Sequence, residues 1–165
     1  MKEPQPSALN CFVCGVENRL GLHIRFYNTG PGEVSADVTL SDSYQGYPGI
    51  VHGGIIASML DEVASRTVFN AARVLVTVSL EVRYRKPTPV NTPLQLKGHL
   101  VEDRGRVCKA SAQLLKQDGL LLAEADVVLV EVAPGFLEAM TPEEQQGWRV
   151  YPENYEANQE VKHDC

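Results

Sequence analysis

The segment from Gly46 to Ser65 constrains this 165-residue chain more than any other. Pro48 and Gly49 interrupt regular structure ahead of Val51, and the pair Gly53-Gly54 allows a tight backbone where helical spacing begins. Ile55, Ile56, Met59, Leu60 and Val63 then recur three and four residues apart, which predicts a helix with one buried stripe. The other side carries Ala57, Ser58, Ala64 and Ser65 around a single acid, Asp61. A solvated helix face would mix Lys with Glu, so this small, weakly polar one predicts a neighbour packed close against it.

Two chemical capacities coincide on the segment. The first turn of a helix leaves backbone N–H groups without partners inside the helix, and glycines at 53 and 54 leave them unshielded toward an incoming carbonyl oxygen. That is an oxyanion site in outline. A carboxylate further along can act as a nucleophile or as a base toward water, and Asp61 is the candidate. The same residue types also serve in an ordinary turn and on an ordinary solvated helix, and residue type by itself leaves both readings open.

The remaining chain reads mainly as strands. Leu22–Tyr27 and Val34–Leu40 alternate apolar with polar residues across the turn cluster Asn28–Gly32, so they predict a hairpin, with His23 on the exposed face. Arg73–Lys86 is a long β-rich run closed by Pro87 and Pro89. Its alternation sets Val74, Val76, Val78, Leu80, Val82 and Tyr84 against Leu75, Thr77, Ser79, Glu81, Arg83 and Arg85, a pattern that suits a central antiparallel strand. Leu94–Val101, Arg106–Lys116 and Leu121–Val132 follow, linked by turns at Asp103–Gly105 and Gln117–Gly119. The expected fold class is α+β, an antiparallel sheet wrapped around one long helix. Thr141-Pro-Glu-Glu144 predicts a capping box opening a short helix, and Tyr151–Cys165 reads as a polar, mobile tail. The expected organisation is a leader over 1–19, one domain over 20–133 and a C-terminal piece over 134–165.

Composition narrows the function classes. A net charge of −6 argues against nucleic acid or an anionic membrane as the main partner, because both demand a basic surface. No apolar run suits a membrane-spanning helix, and Met-Lys-Glu-Pro-Gln-Pro lacks the apolar core of a signal peptide, so a cytoplasmic location is expected. Cys11 and Cys14 form a C-x-x-C, but with Cys108 in a strand and Cys165 at the end no second ligand pair accompanies them. The leader is accordingly read as a covering turn, with no metal and no cofactor.

His52-Gly53-Gly54, six apolar or small residues and an acid nine positions after the histidine resemble the signature of the hotdog-fold acyl-CoA thioesterases of the phenylacetate-degradation type. The likeness runs from about Leu20 to Val132, and Cys11–Leu22 resembles a leader found in one branch of these proteins. The resemblance implies a hotdog fold and hydrolysis of an acyl-CoA thioester. It implies an orienting role for His52, an oxyanion N–H from Gly53 beside Gly54, and Asp61 as nucleophile or general base near the Thr77 hydroxyl. Many relatives carry Asn or Gln six residues before the histidine. Here position 46 is glycine, and Gln45 stands one residue earlier. Arg83 and Arg85 are candidates for the phosphates of coenzyme A, in competition with ion pairs to surface acids.

Asp61 lies eight residues beyond Gly53, about 12 Å along a helix, too far for one short side chain to span. The family's pairing of two chains, Gly53 from one and Asp61 from the other, removes the difficulty. The expected partner is therefore a second copy, as a homodimer or a tetramer built as a dimer of dimers. The alternative is a non-catalytic acyl-CoA or fatty-acyl binding module, suggested by the missing amide at position 46. Release of free thiol distinguishes the two.

Overall fold

The molecule is described here from a computed structural model, over residues 2–69, 73–133 and 140–155. The predicted helix forms as α1, Gly53–Ser65, and runs on into a 3-10 turn over Arg66–Val68. Ile56, Met59, Leu60, Val63 and Ala64 are its buried residues. Removing any one of the four larger side chains from water contributes about 1.5–3 kcal/mol. Ala64 is fully buried, so it belongs to the core stripe, and the small face consists of Ala57, Ser58, Asp61 and Ser65.

The strands are β1 (Glu3–Pro4), β2 (Tyr27–Gly30), β3 (Glu33–Val38), β4 (Leu75–Tyr84), β5 (Leu94–Asp103), β6 (Val107–Lys116) and β7 (Leu121–Glu131). They form one antiparallel sheet in the order β1-β2-β3-β5-β6-β7-β4. The β5–β6 and β6–β7 turns use glycine in left-handed conformation, Gly105 at φ 75° and Gly119 at φ 87°. Helix α1 packs across β4, β5, β6 and β7. Gly98, Ala112, Ala125 and Val82 are cross-strand partners in one row of the sheet. Three of those four side chains are the smallest available, and the row forms a trough that admits the helix. The contact is tightest at Gly98, where a Cβ would collide with the Val63 carbonyl oxygen and lie 2.9 Å from Thr67 Cγ2. The result is the hotdog fold: a seven-stranded sheet with one long helix against it.

Three expectations change. The first hairpin begins at Tyr27, because His23 takes φ 53° and breaks the extended run. Leu22 and Ile24 donate instead to the carbonyls of Phe12 and Val13 in the leader, although Ile24 and Phe26 are buried as their alternation predicted. Second, β4 is an edge strand. Among the described residues it pairs with β7 alone and leaves Val76, Val78, Leu80 and Tyr84 exposed. Third, Tyr151 is buried; its hydroxyl donates to Gly147 O at 2.6 Å, and its carbonyl accepts from Arg25. Residues 156–165 of the predicted tail lie outside the described residues. Helix α2, Pro142–Gly147, opens on the predicted Thr141–Glu144 capping box. Ser7 bridges to Arg149, so leader and C-terminal segment meet. Among the described residues no helix is long and apolar enough to cross a membrane.

Candidate active site

His52 occupies the N-cap of α1 in extended conformation (φ −61°, ψ 135°), and its Nδ1 accepts the Gly54 N–H at 3.0 Å. That bond requires an unprotonated Nδ1 and fixes the imidazole against the first turn. The N–H groups of Ile55 and Ile56 go to the His52 carbonyl. Gly53 N–H has no acceptor among the described residues. Of the two glycine donors foreseen, Gly54 is therefore engaged within the chain, and Gly53 remains open toward a carbonyl oxygen. Tyr84, at the end of β4, donates its hydroxyl to Gly53 O at 2.8 Å and pins the helix start to the sheet. Periodicity marked Tyr84 only as an apolar-face residue and gave no sign of this bond.

Two turns along, the Thr77 hydroxyl donates to Asp61 Oδ1 at 2.7 Å. Strict alternation had put Thr77 on the face opposite Leu80. The register shifts between Thr77 and Ser79, leaving Val78 unpaired, so Thr77 lies opposite Leu129 while Leu80 lies opposite Val127. Both partners are buried beneath the helix. The bulge thus turns Thr77 and Leu80 to the same side, and without it Thr77 would point away from Asp61. Asp61 is half-buried, and its pKa is raised. Desolvation is the main cause, the neighbouring Glu62 charge adds to it, and the Thr77 bond opposes it. A carboxylate held in this way is a stronger base than a solvated one.

The other candidates scatter. Gln45 is exposed, and its Oε1 accepts from Gly49 N at 3.0 Å, so that end of the amide holds the 46–51 loop. A Cβ on Gly46 would stand 3.3 Å from both the Cα and the Cδ2 of His52, so an amide side chain at that position would press on the capping histidine. Arg83 pairs with Glu81 and Asp126, each at 2.7 Å, and Arg85 pairs with Glu124. Both arginines lie on the sheet face away from α1, because Arg83 is opposite Glu124 while the adjoining Tyr84 and Ala123 face the helix. Within one chain, then, structure gathers Asp61 with Thr77 and His52 with Gly53, and does not bring the arginines to either pair. Among the described residues the converging metal donors are Cys11, Cys14 and Glu62, which include none of these groups.

Residues 48–123 match the family model of the Thioesterase superfamily. Acyl-coenzyme A thioesterase THEM4 of Mus musculus is 30% identical over 135 residues, covering 81% of this chain and 58% of that protein. The chain thus spans a little over half the length of the curated relatives it matches most extensively. A solved thioesterase superfamily protein is 33% identical with a TM-score of 0.69, covering 73% of this chain and 63% of that one. A hypothetical thioesterase protein from Streptococcus pneumoniae TIGR4, solved with coenzyme A, shares the fold at a TM-score of 0.62 and 20% identity, covering 67% of this chain and 89% of that one.

Proposed function

We propose that the chain hydrolyses acyl-CoA thioesters at a site shared by two copies. The observation that carries this reading is the separation of its two halves. A Gly53 N–H with no acceptor among the described residues stands at the start of α1 and a desolvated Asp61 eight residues on, about 12 Å apart along one axis. Pairing two copies through their open β4 edges sets two α1 helices side by side and makes β4 the central strand that its length suggests. Gly53 of one copy then faces Asp61 of the other. The likeness to proteins named acyl-coenzyme A thioesterase supports the substrate class.

In the reaction, the Gly53 N–H polarises the thioester carbonyl and Asp61 takes a proton from water. The hydroxide so formed adds to the carbonyl carbon, and negative charge collects on the oxygen at Gly53. Collapse breaks the C–S bond, and the Asp61 proton passes to the departing thiolate, giving a carboxylic acid and coenzyme A. Direct attack by Asp61, through an acyl-enzyme, leads to the same products. His52 holds the turn that presents Gly53, and Gln45 Nε2 is a further donor within reach of the same loop. The C-terminal and leader segments act as a cover to the one catalytic domain.

Complementation tests the shared site. Asp61→Asn and Gly53→Val are each expected to be inactive with the fold retained, since a Cβ at Gly53 makes only ordinary contact, 3.4 Å from Tyr84 Oη. Mixed under conditions of subunit exchange, they rebuild one intact site per heterodimer and recover part of the activity. Demonstrated heterodimers with no recovery would refute sharing. Tight acyl-CoA binding without any thiol release from the wild type would instead favour the binding module, the reading that glycine at position 46 supports.

A further inference from the structure

The C-x-x-C of the leader was set aside because no second ligand pair follows it in sequence. The fold supplies a third donor from elsewhere. Glu62, on α1, is brought to the leader so that the ligand atoms of Cys11, Cys14 and Glu62 all lie within 4.8 Å of one another. Cys11 Sγ stands 3.8 Å from Glu62 Oε2. Donors of a tetrahedral zinc site, with Zn–S near 2.3 Å, are separated by about 3.8 Å, so the cluster needs to contract by about 1 Å at most.

The local backbone is shaped around the sulfurs. Val13 N–H donates to Cys11 Sγ at 3.4 Å, and Gly15 N–H closes the turn onto Cys11 O at 2.9 Å. A Cβ on Gly15 would collide with the Cys11 carbonyl oxygen and lie 2.6 Å from Cys11 N. The sequence Cys-Phe-Val-Cys-Gly thus forms a knuckle whose tightness demands glycine after the second cysteine. Cys14 is 1% exposed and Cys11 only half-buried, so the cluster has a closed side and an open one.

Charge completes the case. Arg66 is 3% exposed; its Nε donates to Glu62 Oε1 at 2.9 Å and its Nη1 to Pro6 O at 2.6 Å. Its guanidinium also lies 4.7 Å above the Phe26 ring. That fixed cation neutralises one negative charge. Two thiolates and a carboxylate carry three, and a divalent cation with Arg66 carries three of the opposite sign, which balances the buried cluster.

We propose that Cys11, Cys14 and Glu62 bind one thiophilic divalent cation, zinc by preference, with water in the fourth position on the Cys11 side. The ion staples the leader to α1 at the residue next to Asp61, and it is a structural clasp that takes no part in thioester hydrolysis.

The test uses the full chain in a Cys165→Ser background, reduced, with cobalt(II) as the probe. About one equivalent per chain should produce thiolate-to-cobalt charge-transfer absorption and tetrahedral d–d bands, both displaced by zinc. Cys11→Ser should lose the charge-transfer absorption. Glu62→Gln should bind at least tenfold more weakly while keeping that absorption at saturation, because both thiolates remain. Zinc should raise the melting temperature of the wild type more than that of Glu62→Gln. No charge-transfer absorption from reduced wild type overturns the proposal, as does equal affinity in Glu62→Gln. A Cys11–Cys14 disulfide in the isolated protein that, once reduced, takes up no cobalt identifies a redox pair and also overturns it. Should Cys11→Ser fail to fold, the wild-type titration and Glu62→Gln decide alone.

Discussion

Thr77→Val removes one hydroxyl hydrogen and oxygen from beside Asp61 with little change of shape. In the folded protein that hydroxyl donates to Asp61 Oδ1 at 2.7 Å, and its bond holds the Asp61 pKa down against desolvation. A hydrogen bond to a charged group contributes about 1.5–3 kcal/mol, and the lower end applies because solvent still reaches Asp61. At 1.36 kcal/mol per unit, the acidic limb of the kcat/KM profile should move upward by about one pH unit. Rate at low pH falls because less Asp61 is ionised, and the plateau at higher pH falls much less. The assay follows free thiol released from an acyl-CoA across the limb, with Thr77→Ser as the control that keeps the donor and the wild-type limb. A limb that stays in place, or moves downward, would show that Thr77 does not stabilise the ionised form and that Asp61 is not the titrating base.

Further outcomes follow from the same geometry. Because the folded pKa of Asp61 is raised, its contribution to stability is fully present below the unfolded-state pKa and is lost as pH rises through the folded value. Asp61→Asn, whose carbonyl can still accept from Thr77, should therefore melt higher than wild type at neutral pH and match it in acid; a lower melting temperature at neutral pH would contradict the desolvation argument. Gly98→Ala forces a Cβ into the Val63 carbonyl and Thr67, an overpacking cost of about 1–3 kcal/mol. Thermal melts should register it at about 2–4 °C per kcal/mol, and an unchanged melt would mean that α1 does not rest on that strand. Val78→Lys places a charge on the 58%-exposed residue of the open β4 edge. Light scattering should then report monomers and the thiol assay little turnover, whereas a dimeric, fully active variant would exclude this edge as the interface.

Much of the fold was legible because local rules and tertiary demands agree. The three-and-four stripe from Ile56 to Val63 becomes the buried face of α1. The turns before and after β6 fall where glycine permits φ values of 75° and 87°. The capping box at Thr141 forms as its residue types require. Of the candidate site, type and spacing singled out an acid, a histidine and a glycine as candidates, and the resemblance set Thr77 near the acid, but neither showed that His52 accepts from Gly54 or that Tyr84 donates to Gly53. The leader's pairing with Leu22 and Ile24, and the end of Tyr151 as a buried residue, rest on contacts between distant segments that periodicity does not record.

The sequence alone determined which residues could supply an oxyanion donor and a base, since those capacities belong to a helix start with glycine and to a carboxyl group. Only the tertiary structure decided which of them are free to act. One unpaired residue in β4 turns Thr77 toward Asp61, and the Nδ1 of His52 takes up Gly54 and leaves Gly53 open. The packing of α1 on the leader brings Glu62 to two cysteines that are forty-eight or more positions away in the chain. A one-residue shift in a ladder reverses a side chain's face, and a hydrogen bond consumes a donor; both depend on the partner across space, which the order of residues along the chain does not specify.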